Sequence, residues 1–164
     1  MHKNKPDQDK QTGKPDIFEQ RYKSLCDNVP GVIYSLDQNL KPLIMSRQVL
    51  DITGYRPEDF LSNKIKWLDI VLSSDRSKIE HAYSGADSKK SFDLEYRIMH
   101  KEGTVRWIHD IGCRLLDDNG SLSHVDGICL DVSDIKLTQE ALQHRNKMEL
   151  VADAIRTEER RVGK

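Results

Sequence analysis

The amino-acid sequence predicts an α+β domain built on one five-stranded antiparallel sheet and continued by a long C-terminal helix. Three observations predict it. Two short apolar segments flank a Gln38-Asn39 turn and read as a hairpin. Three longer segments with a period of two, separated by Lys101-Glu102-Gly103 and by Asp117-Asp118-Asn119-Gly120, read as a meander. From Ser133 onward no Gly or Pro interrupts the chain until Gly163, and apolar residues recur at helical spacing.

The elements follow in order. Residues 1–15 carry Lys, Asp, Gln and Pro and almost nothing apolar, so ordering them would cost more entropy than burial returns; they read as a flexible lead. Residues 16–132 hold the core-forming pattern. Phe18, Tyr22, Leu25 and Val29 recur at helical spacing, and Pro30-Gly31 stops that helix. VIYSLD (32–37) and LIMS (43–46) are the hairpin strands. Val49 and Ile52 precede Gly54, a helix stop. Pro57-Glu58-Asp59 reads as a helical first turn, with proline where a missing N–H is harmless and acids near the positive helix end. WLDIVL (67–72) is apolar; Ser74 or Asp75 caps a helix running to about Tyr83, and Gly85 ends it.

In SFDLEYRIMH (91–100), Phe92, Leu94, Tyr96 and Ile98 share one face and Asp93, Glu95 and Arg97 the other. TVRWIHDIGCRLL (104–116) alternates with Val105, Trp107, His109, Ile111 and Cys113 on one side, and SHVDGICLDV (123–132) is the last strand. Residues 133–164 form the third zone. Ser133 is suited to cap the exit helix, with Asp134 beside its positive end. The heptad positions hold Leu137, Ala141, His144, Met148, Val151, Ile155, Glu158 and Val162, six of the eight apolar. The expectation is a dimeric coiled coil with Leu137, Ala141, Met148, Val151 and Ile155 in its seam; the competing reading is one amphipathic helix folded back on its own domain.

Composition excludes several classes. The 26 basic and 27 acidic residues give a net charge of -1, without the basic stripe of a nucleic-acid binder. No apolar run approaches the ~18 residues of a membrane span, so the expectation is a segment without membrane contact. Cys26, Cys113 and Cys129 are odd in number and far apart in sequence, which argues against a disulfide framework or zinc cage and for a reducing cytoplasm. Cys113 and Cys129 fall on neighbouring strands, close enough in principle for redox chemistry, but small buried hydrophobes are the simpler reading. His100, His109 and His124 have no second ligand at fixed spacing, so no metal is expected. The phosphate-loop, dinucleotide-fold, zincin and nucleophile-elbow motifs are all absent.

Five pieces carry a family resemblance: YKSLCDNVPGVIYSLD (22–37), IMSRQVLDITGYRPEDF (44–60), SSDRSKI (73–79), LEYRIMHKEGTVRWIHD (94–110) and DGICLDVSDIKLTQEAL (126–142). In this order and spacing they resemble a PAS domain with its C-terminal PAC motif, over about residues 17–142. The resemblance implies a sheet with short helices on one face, and a sensor or dimerisation module rather than a catalyst. Asp131, Val132, Ser133 and Lys136 match the family's junction, D-[IV]-[TS]-x-x-K, where the last strand hands over to a signalling helix. Asp131 is expected to pin that junction, with Arg97 or Arg106 as partner.

A PAS-like sheet implies a cleft under the helices. Its candidate lining residues are Ile33, Met45, Val49, Ile52, Trp67 and Val71, together with Ile79, Tyr83, Phe92, Tyr96, Trp107 and Ile128. They either fill a core or line a small-molecule pocket; Met45 and the two tryptophans suit adaptable contact. The family's flavin photosensors carry G-x-N-C-R-F-L-Q, which is missing here, so flavin is not expected. Its haem sensors use a helical histidine; His81 sits in KIEHAY, which does not otherwise match, so haem is not expected either. The ligand stays unnamed.

The run AIRTEERRVGK (154–164) is first of all a charged helix surface with i,i+4 pairs. It also resembles the segment before the phosphoacceptor histidine of bacterial sensor kinases. The chain stops at Lys164, before any such histidine. The expectation is therefore the sensory part of a two-component histidine kinase, truncated before an output domain in cis. The alternative is a ligand-free dimerisation or protein-interaction module of a diguanylate cyclase or other regulator.

Overall fold

The computed structural model describes residues 17–85 and 90–162. The expected flexible lead, and the side chains of Phe18 and Tyr22, lie outside the described residues. The order is α1 (Ile17–Asn28), β1 (Val32–Asp37), β2 (Pro42–Met45), α2 (Val49–Thr53), α3 (Pro57–Leu61), α4 (Trp67–Ile70), α5 (Arg76–Ser84), β3 (Ser91–Met99), β4 (Val105–Leu116), β5 (Leu122–Asp131) and α6 (Ser133–Val162). The five strands form one antiparallel sheet in the order β2-β1-β5-β4-β3. Placing β5 between the hairpin and the rest of the meander makes the last strand central, and α6 leaves directly from it.

Short helices cover one sheet face. Val32, Tyr34 and Leu36 of β1, Phe92, Tyr96 and Ile98 of β3, Ile108 of β4, and Val125 and Cys129 of β5 point to that face. They pack against Val49, Ile52, Phe60, Ile79, Ala82 and Tyr83 from the helices. This burial is the main apolar driving force of the fold. Gly54 ends α2 with φ 79° and Gly85 ends α5 with φ 79°, as the sequence predicts. Pro57 opens α3 at its first turn. The C-terminal carbonyls of α1 are tied down by Gln48, whose Nε2 donates to Cys26 O at 3.1 Å and Asp27 O at 2.9 Å. Leu25, expected on the apolar face of α1, is instead 70% exposed.

The outer edge of β3 is closed by the segment before α5. Val71 bridges Ile98, Leu72 N–H donates to Arg97 O, and Arg97 N–H donates to Asp75 Oδ2 at 3.0 Å. Asp75 therefore spends its carboxylate on Arg97 and makes no side-chain cap bond to α5. Ser133 departs from expectation in the same way. Its hydroxyl does not cap α6 but accepts the Trp107 backbone N–H at 2.9 Å. No α6 residue is buried; Leu137, Met148, Val151 and Ile155 stand 48–64% exposed.

Candidate functional site

A cleft of about 370 Å³ opens between the hairpin end of the sheet and the α3–α4 region. Its walls are Val32, Leu36, Leu40, Met45, Trp67 and Leu68; its floor is Tyr34, Tyr83 and Cys129; its mouth is set by Asn39, Lys41, Asn63 and Lys66. Leu40 of the wall and Asn63 of the mouth take φ of 61° and 59°, the only non-glycine residues in the left-handed region among those described. Leu40 is held there by the β1–β2 turn, where Asp37 Oδ1 accepts from the N–H groups of Asn39 and Lys41.

Behind the floor lies a closed polar cluster. Asp110 is fully buried. Its Oδ1 accepts from Tyr34 OH at 2.8 Å, and its Oδ2 accepts from Tyr83 OH at 2.8 Å and Tyr96 OH at 3.0 Å. Tyr34 and Tyr83 hydroxyls lie 3.1 Å apart, Trp67 Nε1 donates to Tyr96 Oη at 2.8 Å, and Cys129 Sγ sits 3.7 Å from Tyr96 Oη. Strand register builds this cluster: Cys129 pairs with Asp110, and Tyr34 pairs with Gly127. Gly127 is required there, because an added Cβ would stand 2.4 Å from the Tyr34 hydroxyl. Burial raises the Asp110 pKa and the tyrosine hydrogen bonds oppose that rise, leaving it above the ordinary carboxylate range. Burial likewise pushes the three tyrosines and Cys129 well above their usual values.

The candidate lining residues divide three ways. Met45, Trp67 and Tyr83 do line the cleft. Val49, Ile52, Val71, Ile79, Phe92 and Tyr96 are buried in the adjoining core. Ile33, Ile128 and Trp107 lie on the opposite sheet face: Ile33 pairs with Ile128, both one residue out of phase with inward Val32 and Cys129, and Trp107 precedes inward Ile108. The same parity puts Cys113 on the outer face and Cys129 on the inner, so the two thiols do not meet. His81 is exposed on α5, and among the described residues no group of His, Cys, Asp and Glu is placed to hold a metal. Sequence reading missed Tyr34 and Asp110, whose signal was an acid at an inward strand position between Ile108 and Gly112.

The exit junction is built between β4 and the central strand β5. Asp131 Oδ2 accepts from Arg106 Nη1 at 2.8 Å and its Oδ1 accepts from Ser133 N–H at 3.0 Å. Burial acts to raise the Asp131 pKa, but the bonds from Ser133 and Arg106 outweigh it and the net shift is downward. Arg97, the other expected partner, is committed to Asp75. Val132 N–H donates to Trp107 O at 2.9 Å. Lys136 pairs with Glu95 and lies 5.2 Å from the Trp107 ring centroid, while the Arg97 guanidinium lies 5.4 Å from it. No described helix is long and apolar enough to cross a membrane.

Comparison with known proteins places this architecture. The chain is 30% identical over 131 residues to a probable diguanylate cyclase, DgcE, of Escherichia coli, covering 78% of this chain and 12% of that protein. It is 29% identical over 97 residues to a methyl sulfide methyltransferase-associated sensor of Methanosarcina acetivorans, covering 58% of this chain and 10% of that protein. The chain thus spans only about a tenth of these relatives. A sensory box histidine kinase/response regulator structure from Burkholderia thailandensis superposes with a TM-score of 0.61 at 20% identity, covering 78% of this chain and 96% of that one, which speaks to the fold. The family model described as PAS fold matches residues 42–129, more than half the sequence, and the chain belongs to that family.

Proposed function

We propose that this PAS domain is a sensory module in which occupation of the cleft by a small molecule biases the root of α6, and α6 passes that bias through a parallel homodimeric coiled coil to an output domain in cis. The observation that carries the reading is the junction. The β4–β5 ladder continues past Asp131 without a spacer, through Val132 N–H to Trp107 O and Trp107 N–H to Ser133 Oγ. Displacement of the central strand is thereby transmitted to the first turn of the helix. Coupling needs two arrangements of one packed element, and a stiff joint lets a shift on one side select between them.

The exposed apolar stripe of Leu137, Ala141, Met148, Val151 and Ile155 supports the coil as the means of pairing. The run Arg156–Arg161, similar to the lead into a kinase phosphoacceptor helix, favours a histidine kinase output in the cytoplasm. The diguanylate cyclase alternative draws on the DgcE relative. In the first setting this segment senses and the output domain catalyses; in the second it is a ligand-free dimerisation or protein-interaction module.

Two measurements test the reading. Light scattering of the chain with and without residues 133–164 is expected to give a dimer and a monomer; a monomer in both forms removes the coil. In a full-length protein, Asp131→Ala is expected to uncouple output from stimulus while the fold persists. An unchanged response removes the relay.

A further inference from the structure

The cleft is polar at its two ends and apolar between them. At the mouth stand two cations, Lys41 and Lys66, with the amides of Asn39 and Asn63 and no carboxylate among the lining residues. The walls of Val32, Leu36, Met45 and Trp67 bear no charge. At the floor, the Tyr34 and Tyr83 hydroxyls are bonded to Asp110 and to each other. With Tyr34, Tyr83 and Tyr96 donating to Asp110, what the floor hydroxyls of Tyr34 and Tyr83 can offer a guest is acceptor capacity, part of it shared in their mutual contact at 3.1 Å. The carboxylate behind them is fully buried and makes no ion pair with a described residue. A buried acid screened by aromatic rings, with no cation beside it among the described residues, is an environment whose charge an ammonium or other N–H-rich group balances.

From this polarity we infer that the ligand is a small zwitterion with an apolar body, its ammonium end toward the Tyr34–Tyr83 floor over Asp110 and its acidic end toward Lys41 and Lys66. This inference deepens the sensory reading and rests on it for its meaning. The ammonium gains the tyrosine lone pairs, the ring faces and the field of Asp110; the apolar body displaces water from Met45 and Trp67; the acid stays half-solvated between two flexible lysines. A guest with only one charged end leaves one end of the cleft unmatched. A neutral guest leaves both.

Calorimetric titration of the full chain with three probes of one body separates these cases: 4-(aminomethyl)benzoate, benzylammonium and 4-methylbenzoate, at pH 7 and 0.15 M salt. The zwitterion is expected to bind at least about tenfold more tightly than either single-charge probe. Asp110→Asn is expected to bring the zwitterion down to 4-methylbenzoate. The exposed double change Lys41→Gln and Lys66→Gln, which leaves the core untouched, is expected to bring it down to benzylammonium. Equal or tighter binding of either single-charge probe to the unmodified chain overturns the inference, as does failure of all three to bind. Amide exchange at residues 131–140, followed in the same titration, keeps the two readings apart. Selective binding without a change there upholds the ligand class and sinks the relay. Binding of 4-methylbenzoate alone with a change there does the reverse.

Discussion

The backbone N–H of Trp107 donates to the hydroxyl oxygen of Ser133 at 2.9 Å, so the first residue of α6 occupies the next rung of the β4–β5 ladder. A helix that begins as a strand partner cannot swing freely about its root. Val132 N–H to Trp107 O supplies the preceding rung, and Asp131 locks the turn by accepting from Ser133 N–H and from Arg106.

Ser133→Ala removes the acceptor and leaves the partly buried Trp107 N–H to find water. The expected cost is about 1 kcal/mol of global stability. The larger effect is local: amide exchange over residues 133–140 is expected to accelerate while the core strands keep their protection. Equal acceleration throughout the sheet means that the bond is only one more contact. Ser133→Thr, which retains the hydroxyl, is expected to restore protection.

Asp75 and Arg97 make a bidentate pair at 2.9 Å on each arm, with Asp75 only 3% exposed. The Arg97 hydrogen bonds hold the Asp75 pKa down to about 2, against the opposing effect of burial. A carboxylate with a depressed folded pKa stabilises the fold above its unfolded value near 4 and loses that contribution as pH falls toward 2. The contribution is on the order of 2 kcal/mol, reduced to the extent that Arg97 is solvated. Urea titrations at pH 6 and pH 2.5 are expected to show Asp75→Asn markedly destabilised at the higher pH, with the difference shrinking to about a third of that at the lower. A constant difference between the two pH values refutes the pair as the source.

Much of the fold was legible because its signals are local. The DDNG turn, Gly54, Pro57 and Gly85 each demand one backbone geometry, and β3 announces its inward row by alternating Phe92, Leu94, Tyr96 and Ile98 with Asp93, Glu95 and Arg97. β4 hides its phase. Its outward row of Trp107, Ile111 and Cys113 is more apolar than its inward row of Ile108, Asp110, Gly112 and Arg114, so hydropathy points to the wrong face. The inward acid makes sense only with Tyr34, 76 positions away, and Tyr83, 27 away, which strand order alone brings together. The same dependence on tertiary contact diverted Arg97 from the expected Asp131 to Asp75 and turned Ser133 from a cap into a ladder partner.

Gly127 faces the Tyr34 hydroxyl across the β1–β5 pair. By propensity alone, alanine in a strand is better than glycine by roughly 0.5–1 kcal/mol. The close approach reverses that sign. An added methyl at 2.4 Å from Tyr34 Oη forces the ring off Asp110, and the expected outcome for Gly127→Ala is a loss of about 1–3 kcal/mol by denaturant titration. Combining it with Tyr34→Phe is expected to recover little of that loss, since the ring carbon Cζ, 2.5 Å from the added methyl, stays in place. Gly127→Ala at unchanged or higher stability shows that the cluster has room to shift.

Asp110 titrates in the opposite sense to Asp75. Burial raises its folded pKa, with the bonds from Tyr34, Tyr83 and Tyr96 pulling partly back. A carboxyl raised on folding contributes stability that is complete below its unfolded value near 4 and is lost as pH rises through the folded value. Above that range the fold carries a buried anion whose partners are hydroxyls and not cations. Asp110→Asn keeps the shape and one acceptor but cannot ionise. The difference in unfolding free energy between the unmodified chain and Asp110→Asn is therefore expected to fall as pH rises from 4 to 7, with Asp75 contributing equally to both and cancelling. A difference that grows over this interval means that the hydroxyl cage favours the anion over the neutral acid, contrary to the direction argued from burial. The comparison is best made on the chain without added ligand, because a bound cation at the floor would itself favour the ionised form and mask the slope.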